Sequence, residues 1–251
     1  MDAYFLTDQG RVRNHNEDAG GVFKNANHQI LVVIADGMGG HQAGDVASNM
    51  VIEGLNKKWE TTNFFTSPDE AEAWLLDAIM ETNNSIYHHA QNHEECKGMG
   101  TTIVAAICTA DFISIGHIGD SRCYLYNEQG FKQVTEDHSL VNELVRNGQI
   151  SKEDAEYHPR KNVLLKALGT ELDSRPDIQT IGWDKGDTLV LCSDGLSNKL
   201  ETEELKTSIK EMDTIQGTLQ SLVNKANERG GEDNISVALV QYRDSQEVGE
   251  S

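Results

Sequence analysis

Four aspartates stand where apolar runs end or begin. Asp36 follows residues 30–35, Asp120 follows 112–119, Asp194 follows 188–193, and Asp233 lies in Gly-Gly-Glu-Asp-Asn just before a run starting at Ile235. Asp18, in Asn-Glu-Asp, is a fifth. Each alone reads as a turn residue or helix cap. Together, with glycine beside most of them, they resemble strand ends converging on one rim. Carboxylates gathered in one place raise each other's pKa and need a cation to stay ionised. Oxygen-only ligation, without cysteine pairs or an H-E-x-x-H string, favours Mg²⁺ or Mn²⁺ over Zn²⁺. Two such ions sharing one carboxylate bind and acidify a bridging water, which suits phosphoryl hydrolysis. Arg13 could then grip phosphate oxygens with its fork of donors.

The elements that must deliver these residues are legible in outline. The six apolar residues 30–35 read as a buried strand ending on Asp36, and Gly37, Gly39 and Gly40 let backbone and substrate approach it closely. Residues 3–7 read as a first strand. The polar stretch 9–18 is too polar for a core. Ala47, Met50, Val51, Gly54, Leu55 and Trp59 recur at helical spacing. Ser67-Pro68-Asp69-Glu70 combines an N-cap, a proline at the first helical position and a capping-box glutamate, so a second helix starts there. From Met99 the pattern changes to short strands at 101–109, 112–118, 122–126 and 131–135, read as one antiparallel meander. Residues 138–169 interrupt it with charged, helical sequence. Strands at 178–181 and 188–192, helices near 201–211 and 214–228, and a strand at 235–242 complete the chain. The tail from Asp244 to Ser251 is polar and expected to lack order. This alternation predicts an α+β layered domain, with helices outside two stacked sheets.

Composition narrows the function. The 251 residues suit one domain with a substantial core. A net charge of −20, from 21 Lys and Arg against 41 Asp and Glu, argues against nucleic acid and acidic membrane surfaces as partners. Cys96, Cys108, Cys123 and Cys192 lack C-x-x-C spacing and read as reduced core residues. No basic leader precedes an apolar stretch, and no run reaches membrane-spanning length, so a cytoplasmic protein is expected.

Seven strings then occur in a familiar order: Arg13-Asn14-His15-Asn16-Glu17-Asp18, Asp36-Gly37-Met38-Gly39-Gly40, Gly100-Thr101-Thr102, Gly119-Asp120-Ser121-Arg122, Asp137-His138-Ser139, Ser193-Asp194-Gly195-Leu196 and Gly231-Glu232-Asp233-Asn234. The chain resembles the type 2C metal-dependent protein serine/threonine phosphatases, and in particular their short bacterial members, from about residue 2 to 242. The resemblance implies a central sandwich of two antiparallel β-sheets flanked by α-helices, four layers in all, formed by residues 1–243. It implies two Mn²⁺ or Mg²⁺ ions at one end. Asp36 would bridge them, the Gly37 carbonyl would bind one, and Asp194 with Asp233 would complete the other. Asp18 would hold metal-bound water, and Asp120 with Asp194 would contribute to a third, weaker site. Arg13 matches the phosphate-binding arginine, and residues 138–169 match a flap insertion beside the active site.

Many eukaryotic members carry a histidine two residues after the bridging aspartate as a candidate proton donor. Here Met38 occupies that position, and His41 is the substitute candidate. The implied activity is hydrolysis of phosphoserine and phosphothreonine in proteins by direct attack of the metal-bridging hydroxide. The implied counterpart is a membrane-anchored Ser/Thr kinase and its phosphorylated targets, met by a monomeric phosphatase. The alternatives are a partner-switching or non-catalytic regulatory protein on the same fold, and a phosphodiesterase or small-molecule phosphatase with the same ligand logic.

Overall fold

The computed structural model describes residues 1–39 and 43–243. Eleven strands occur among them: β1 (Asp2–Asp8), β2 (Asp18–Lys24), β3 (Ile30–Met38), β4 (Gly100–Thr101), β5 (Ile103–Cys108), β6 (Phe112–Ile118), β7 (Arg122–Asn127), β8 (Gly130–Gln133), β9 (Asp177–Gly182), β10 (Thr188–Cys192) and β11 (Ile235–Gln241). One sheet has the order β1-β11-β10-β7-β8; the other runs β2-β3-β5-β6-β9, with β4 paired to β3. All the strand pairs are antiparallel.

The inner strands are apolar on both faces because both faces are covered. Leu31, Val33, Ala35, Ile103, Ala105 and Ile107 pack outward against α1 (Ala43–Glu60) and α2 (Pro68–Asn92). Their alternates Ile30, Val32, Ile34, Val104, Ala106 and Cys108 meet Leu189, Leu191, Ala238 and Val240 of the other sheet. On that sheet's outer face, Val190, Cys192, Val237 and Leu239 pack against α6 (Thr202–Lys210) and α7 (Ile215–Glu228). The period-two side-chain alternation of strands thus yields three apolar seams and four layers.

Three readings of the sequence change here. The segment from Met99 is not one meander: β5 and β6 belong to one sheet and β7 and β8 to the other, the chain crossing between sheets through Gly119-Asp120-Ser121. A strand absent from the sequence reading, β2, begins at Asp18 and pairs with β3 from Ile30 to Asp36. Its two glycines, Gly20 and Gly21, masked the alternation. At the second helix, Ser67 Oγ accepts from the Glu70 amide, but the Glu70 carboxylate accepts from Thr66 N–H and Oγ.

Residues 138–169 leave the sandwich as two short helices, α3 (Leu140–Arg146) and α4 (Lys152–Glu156), neither of which buries a residue. Their stems are bonded to each other, Leu140 N to Val163 O at 2.8 Å and Leu165 N to His138 O at 2.8 Å. Leu168 then exchanges two backbone bonds with Thr101. The polar tail 244–251 lies outside the described residues.

All four thiols are free and buried, and burial pushes them up, Cys192 to about 12. Thiolate, the reactive form, is therefore scarce. A chromogenic disulfide reagent is expected to titrate no thiol within minutes in the native protein and all four in denaturant. Rapid reaction of a native thiol contradicts this packing.

Candidate metal centre

Strand register places the five aspartates at one end of both sheets. Asp18 opens β2 and sits opposite Asp36 on β3. β10 ends and β11 begins side by side, with Cys192 opposite Val237, so Asp194 and Asp233 leave the same edge. Arg122, two residues after Asp120, pairs with Cys192, two residues before Asp194. Asp36 itself is not in a turn: β3 continues through it to Met38.

The Asp36 backbone is held at each polar group. Its N–H donates to Thr102 Oγ at 2.9 Å, and its carbonyl accepts from Thr102 N–H and Thr101 Oγ, both at 2.9 Å. Thr102 Oγ in turn lies 2.8 Å from Ser121 Oγ. The Gly100-Thr101-Thr102 and Gly-Asp-Ser strings thereby acquire a physical purpose, to fix one carboxylate. The next residue must be glycine because a Cβ at Gly37 would meet the Gly44 carbonyl oxygen at 2.1 Å. Gly37 N–H donates to the Glu17 carbonyl at 3.1 Å, which ties the 9–18 loop to β3.

That loop is organised by Asn234, a buried side chain. Its Nδ2 donates to the carbonyls of Gln9 and His15 at 2.8 and 2.9 Å, and its Oδ1 accepts from Glu17 N–H at 2.8 Å. Asp18 is buried at the loop's end, where Ser193 Oγ donates to its Oδ2 at 2.7 Å. The other oxygen, Oδ1, is buried without a hydrogen-bond partner among the described residues. Asp194 begins the short helix α5 (Asp194–Ser197), and Asn198 Nδ2 donates to its Oδ2 at 3.1 Å. A Cβ on the following Gly195 would meet Asn234 O at 1.9 Å, so only glycine lets that turn lie against the Asp233-Asn234 backbone. Arg13, about half exposed, reaches Asp233 Oδ2 at 2.9 Å and the Glu232 carbonyl at 3.4 Å.

Burial raises the pKa of Asp36 well above the usual carboxylate value, and Asp18, Asp194, Asp120 and Asp233 add to it. Burial likewise raises Asp18 and Asp120 to about 7, and it raises Asp194, with Asp233 the next cause. Glu17 is raised as well, by burial and by Asp45 and Asp233. A buried acceptor with no donor, among carboxylates brought to one end of both sheets, fits a hard divalent cation held by oxygen. Sequence reading missed Glu17 and Asp45 as members of this field, and Ser193 and Asn234 as its supports. Their signal was present, since three of the four lie inside the motifs, but Ser193 and Asn234 meet Asp18 and Glu17 across 175 and 217 residues of chain.

His41 lies outside the described residues. Met38 ends β3 with its side chain against Gly100. A second group, His117, His138 and Asp177, brings three ligand-type atoms within 4.8 Å of one another, apart from the five aspartates. Its wiring opposes a metal. His138 Nδ1 accepts from Gly119 N–H, so Nε2 carries the ring proton. The His117 and His138 rings are stacked at 4.6 Å and 15°, so their in-plane lone pairs run side by side instead of converging.

A carboxylate-rich cluster at one end of a four-layer sandwich, with an arginine on its rim, has the donor set of a metal-dependent phosphate-ester hydrolase, and the similarities to known proteins point to the same class. A family model described as "Protein phosphatase 2C" matches residues 9–237. The chain is 48% identical over 241 residues to the "Serine/threonine phosphatase stp" of Listeria monocytogenes serovar 1/2a, covering 96% of each protein. Its fold matches the crystal structure of serine/threonine phosphatase Stp1 from Staphylococcus aureus with a TM-score of 0.92 and 40% identity, covering 97% of this chain and 95% of that one. It also matches the catalytic domain of serine/threonine protein phosphatase PstP, solved with two manganese ions, with a TM-score of 0.85 and 31% identity over 97% and 98% of the two chains. The chain belongs to the protein phosphatase 2C family and is a metal-dependent protein phosphatase.

The raised carboxyl pKa values have a thermodynamic consequence. Without metal, the folded state binds more protons than the unfolded state between about pH 4, the ordinary carboxyl value, and about pH 7. The stabilisation from these groups is complete below that window and lost as pH rises through it. The melting temperature of metal-stripped protein is expected to fall by several degrees, relative to Asp36→Asn, between pH 5.5 and 8. Mn²⁺ is expected to restore it at pH 8. Parallel profiles for the two proteins would contradict the shared burial of these carboxyls.

Proposed function

We propose that this phosphatase hydrolyses phosphoserine and phosphothreonine in proteins, with two Mn²⁺ or Mg²⁺ ions held by Asp36, the Gly37 carbonyl, Asp194 and Asp233. Asp18 stands beside them, and Asp120 with Asp194 offers a third, weaker position. The observation that carries this reading is the convergence of Asp18, Asp36, Asp120, Asp194 and Asp233 on one end of the two sheets, where burial and then the other four raise the Asp36 pKa. When bound, the ions supply an acidified water as nucleophile and neutralise charge on the phosphoryl group.

The chain's own residues do the positioning. Thr101 and Thr102 hold Asp36 so that its carboxylate needs no reorganisation when substrate arrives. Ser193 orients Asp18 by donating to one oxygen and leaving the other turned inward. Arg13, anchored on Asp233 at the partly exposed rim, presents planar donors to phosphate oxygens. A thiol nucleophile is excluded by the burial of all four cysteines and the lack of a C-x₅-R string. The leaving alkoxide needs a proton, and His41 is the proposed donor on the ground of its place in the glycine-rich stretch after Asp36.

Among the described residues no helix is long and apolar enough to cross a membrane. The proposed setting is the bacterial cytoplasm, where the enzyme reverses the work of a Ser/Thr kinase. The whole-chain similarity to named serine/threonine phosphatases supports this reading over a partner-switching role.

Phosphate release from a phosphothreonine peptide by metal-stripped protein is expected to appear on Mn²⁺ titration. It should fall at least about a hundredfold in Asp194→Asn and vanish in Asp36→Asn, with far-ultraviolet circular dichroism unchanged. A folded Asp36→Asn variant that keeps metal-dependent turnover would falsify the assignment.

The net charge of −20 also bears on substrate choice. Peptides with acidic residues flanking the phosphothreonine are expected to show lower kcat/KM than basic ones at low ionic strength, with the gap narrowing in salt. Equal values at low salt would remove charge as a selector.

A further inference from the structure

The Asp137-His138-Ser139 string has no place in the chemistry above, yet each of its residues grips a different element. Asp137 takes a forked pair from Arg122 on β7, Nε at 3.0 Å and the terminal nitrogen at 2.7 Å, and a third bond from Gln133 at 3.0 Å. Ser139 caps α3 through Asn142 N–H. His138 faces the metal centre's own turn. Its N–H donates to the Gly119 carbonyl at 2.9 Å, and Gly119 N–H donates back to its Nδ1 at 3.2 Å. Two reciprocal bonds thus fall on the residue before Asp120.

The opposite side of the ring looks toward the 138–169 segment's far stem. His138 Nε2 lies 3.3 Å from Asp177 Oδ2, and Lys166 Nζ donates to Asp177 Oδ1 at 3.2 Å. The His138 carbonyl accepts from Leu165 N–H. His117, stacked on the ring, is held by its own Nε2 donating to the Glu136 carbonyl at 2.9 Å. Burial and His117 keep His138 below the ordinary histidine range, so the neutral acceptor form is the stable one. Gly119 also packs on Thr102, since a Cβ there would meet its side chain at 2.6 Å. Motion of this turn is therefore felt at the residue that pins Asp36.

We propose that His138 is a positioning residue that couples the stems of the 138–169 segment to the Gly119-Asp120 turn, so that a cation at Asp120 and the setting of the segment bias one another. The inference rests on the reading of Asp120 as a ligand of the weakest cation position. By linkage the bias runs both ways. A substrate protein touching the segment would strengthen cation binding at Asp120, and the cation would order the stems.

Two replacements separate the two faces of the ring. In His138→Asn the amide oxygen stands where Nδ1 stood and still accepts from Gly119; in His138→Gln the amide reaches toward Asp177 and leaves Gly119 without its acceptor. Mn²⁺ binding is followed by electron paramagnetic resonance of the free ion. Amide hydrogen exchange of residues 138–140 and 163–168 is followed with and without Mn²⁺. The weakest Mn²⁺ step should weaken about fivefold in His138→Gln, the weight of one neutral hydrogen bond, with loss of the Mn²⁺-induced protection in both stems. His138→Asn should stay within about twofold of the parent, as a Gly119-specific coupling requires. Equal behaviour of the two variants, whether both intact or both impaired, overturns the proposal. If His138→Gln does not fold, the parent decides: Mn²⁺ is expected to add protection to both stems that Asp120→Asn, having lost its weakest Mn²⁺ step, does not gain, and equal protection in the two overturns the proposal. An Asp120→Asn control that leaves every Mn²⁺ step in place would instead refute Asp120 as a ligand, a result distinct from any of these.

Discussion

The mutual repulsion of buried carboxylates is the constraint on which the rest of this structure depends. Asp18, Asp36, Asp120 and Asp194 all have pKa values raised first by burial and then by neighbouring aspartates, Asp233 among them. Left to relax, such groups would turn outward or stay protonated. They stay together because the Asp36 backbone is bonded at each polar group and because the strands that carry most of them are packed on both faces. The centre is costly in the metal-free protein, and the sandwich offsets that cost.

This explains why the fold needs both sheets. Asp18 and Asp36 come from one sheet, Asp194 and Asp233 from the ends of strands in the other, and Asp120 from the crossing between them. The apolar seam of Ile30, Val32, Ile34, Leu189, Leu191, Ala238 and Val240 sets the separation of the sheets. Polar bonds across the end of that seam then set the details. Ser193 joins Asp18 to the opposite sheet, and Asn234 laces the 9–18 loop to the start of β11. Rigid support of this kind is what a preorganised site requires, because a displaced ligand would lose its geometric advantage.

Around the rigid end hang two less buried pieces. The 9–18 loop offers Arg13, and the 138–169 segment offers α3 and α4 without a buried residue between them. Asn234 and the Gly37 N–H tie the loop, and backbone bonds between its stems and to Thr101, with the His138 ring on Gly119 N–H, tie the segment. The proposed phosphate contact thus lies on a partly exposed loop, and the proposed cation ligands lie at the ends of strands packed on both faces.

Much was legible in the sequence because it is written in local patterns. Period-two and helical spacing revealed most strands and helices, and aspartates at the ends of apolar runs, most with glycine nearby, announced the ligand candidates. The acidic charge and unpaired cysteines were equally plain. What failed did so for physical reasons: β2 is glycine-rich and lacks a readable alternation, and the run from Met99 gives no sign that β7 leaves its neighbours for the other sheet. Only the tertiary structure decided that Asp36 lies inside a strand, that Thr101 and Thr102 exist to hold it, and that Ser193, Asn234 and His138 serve residues far along the chain. Periodicity reports which face of an element is buried; it carries no record of which other element supplies the partner, and a metal centre is made of such partners.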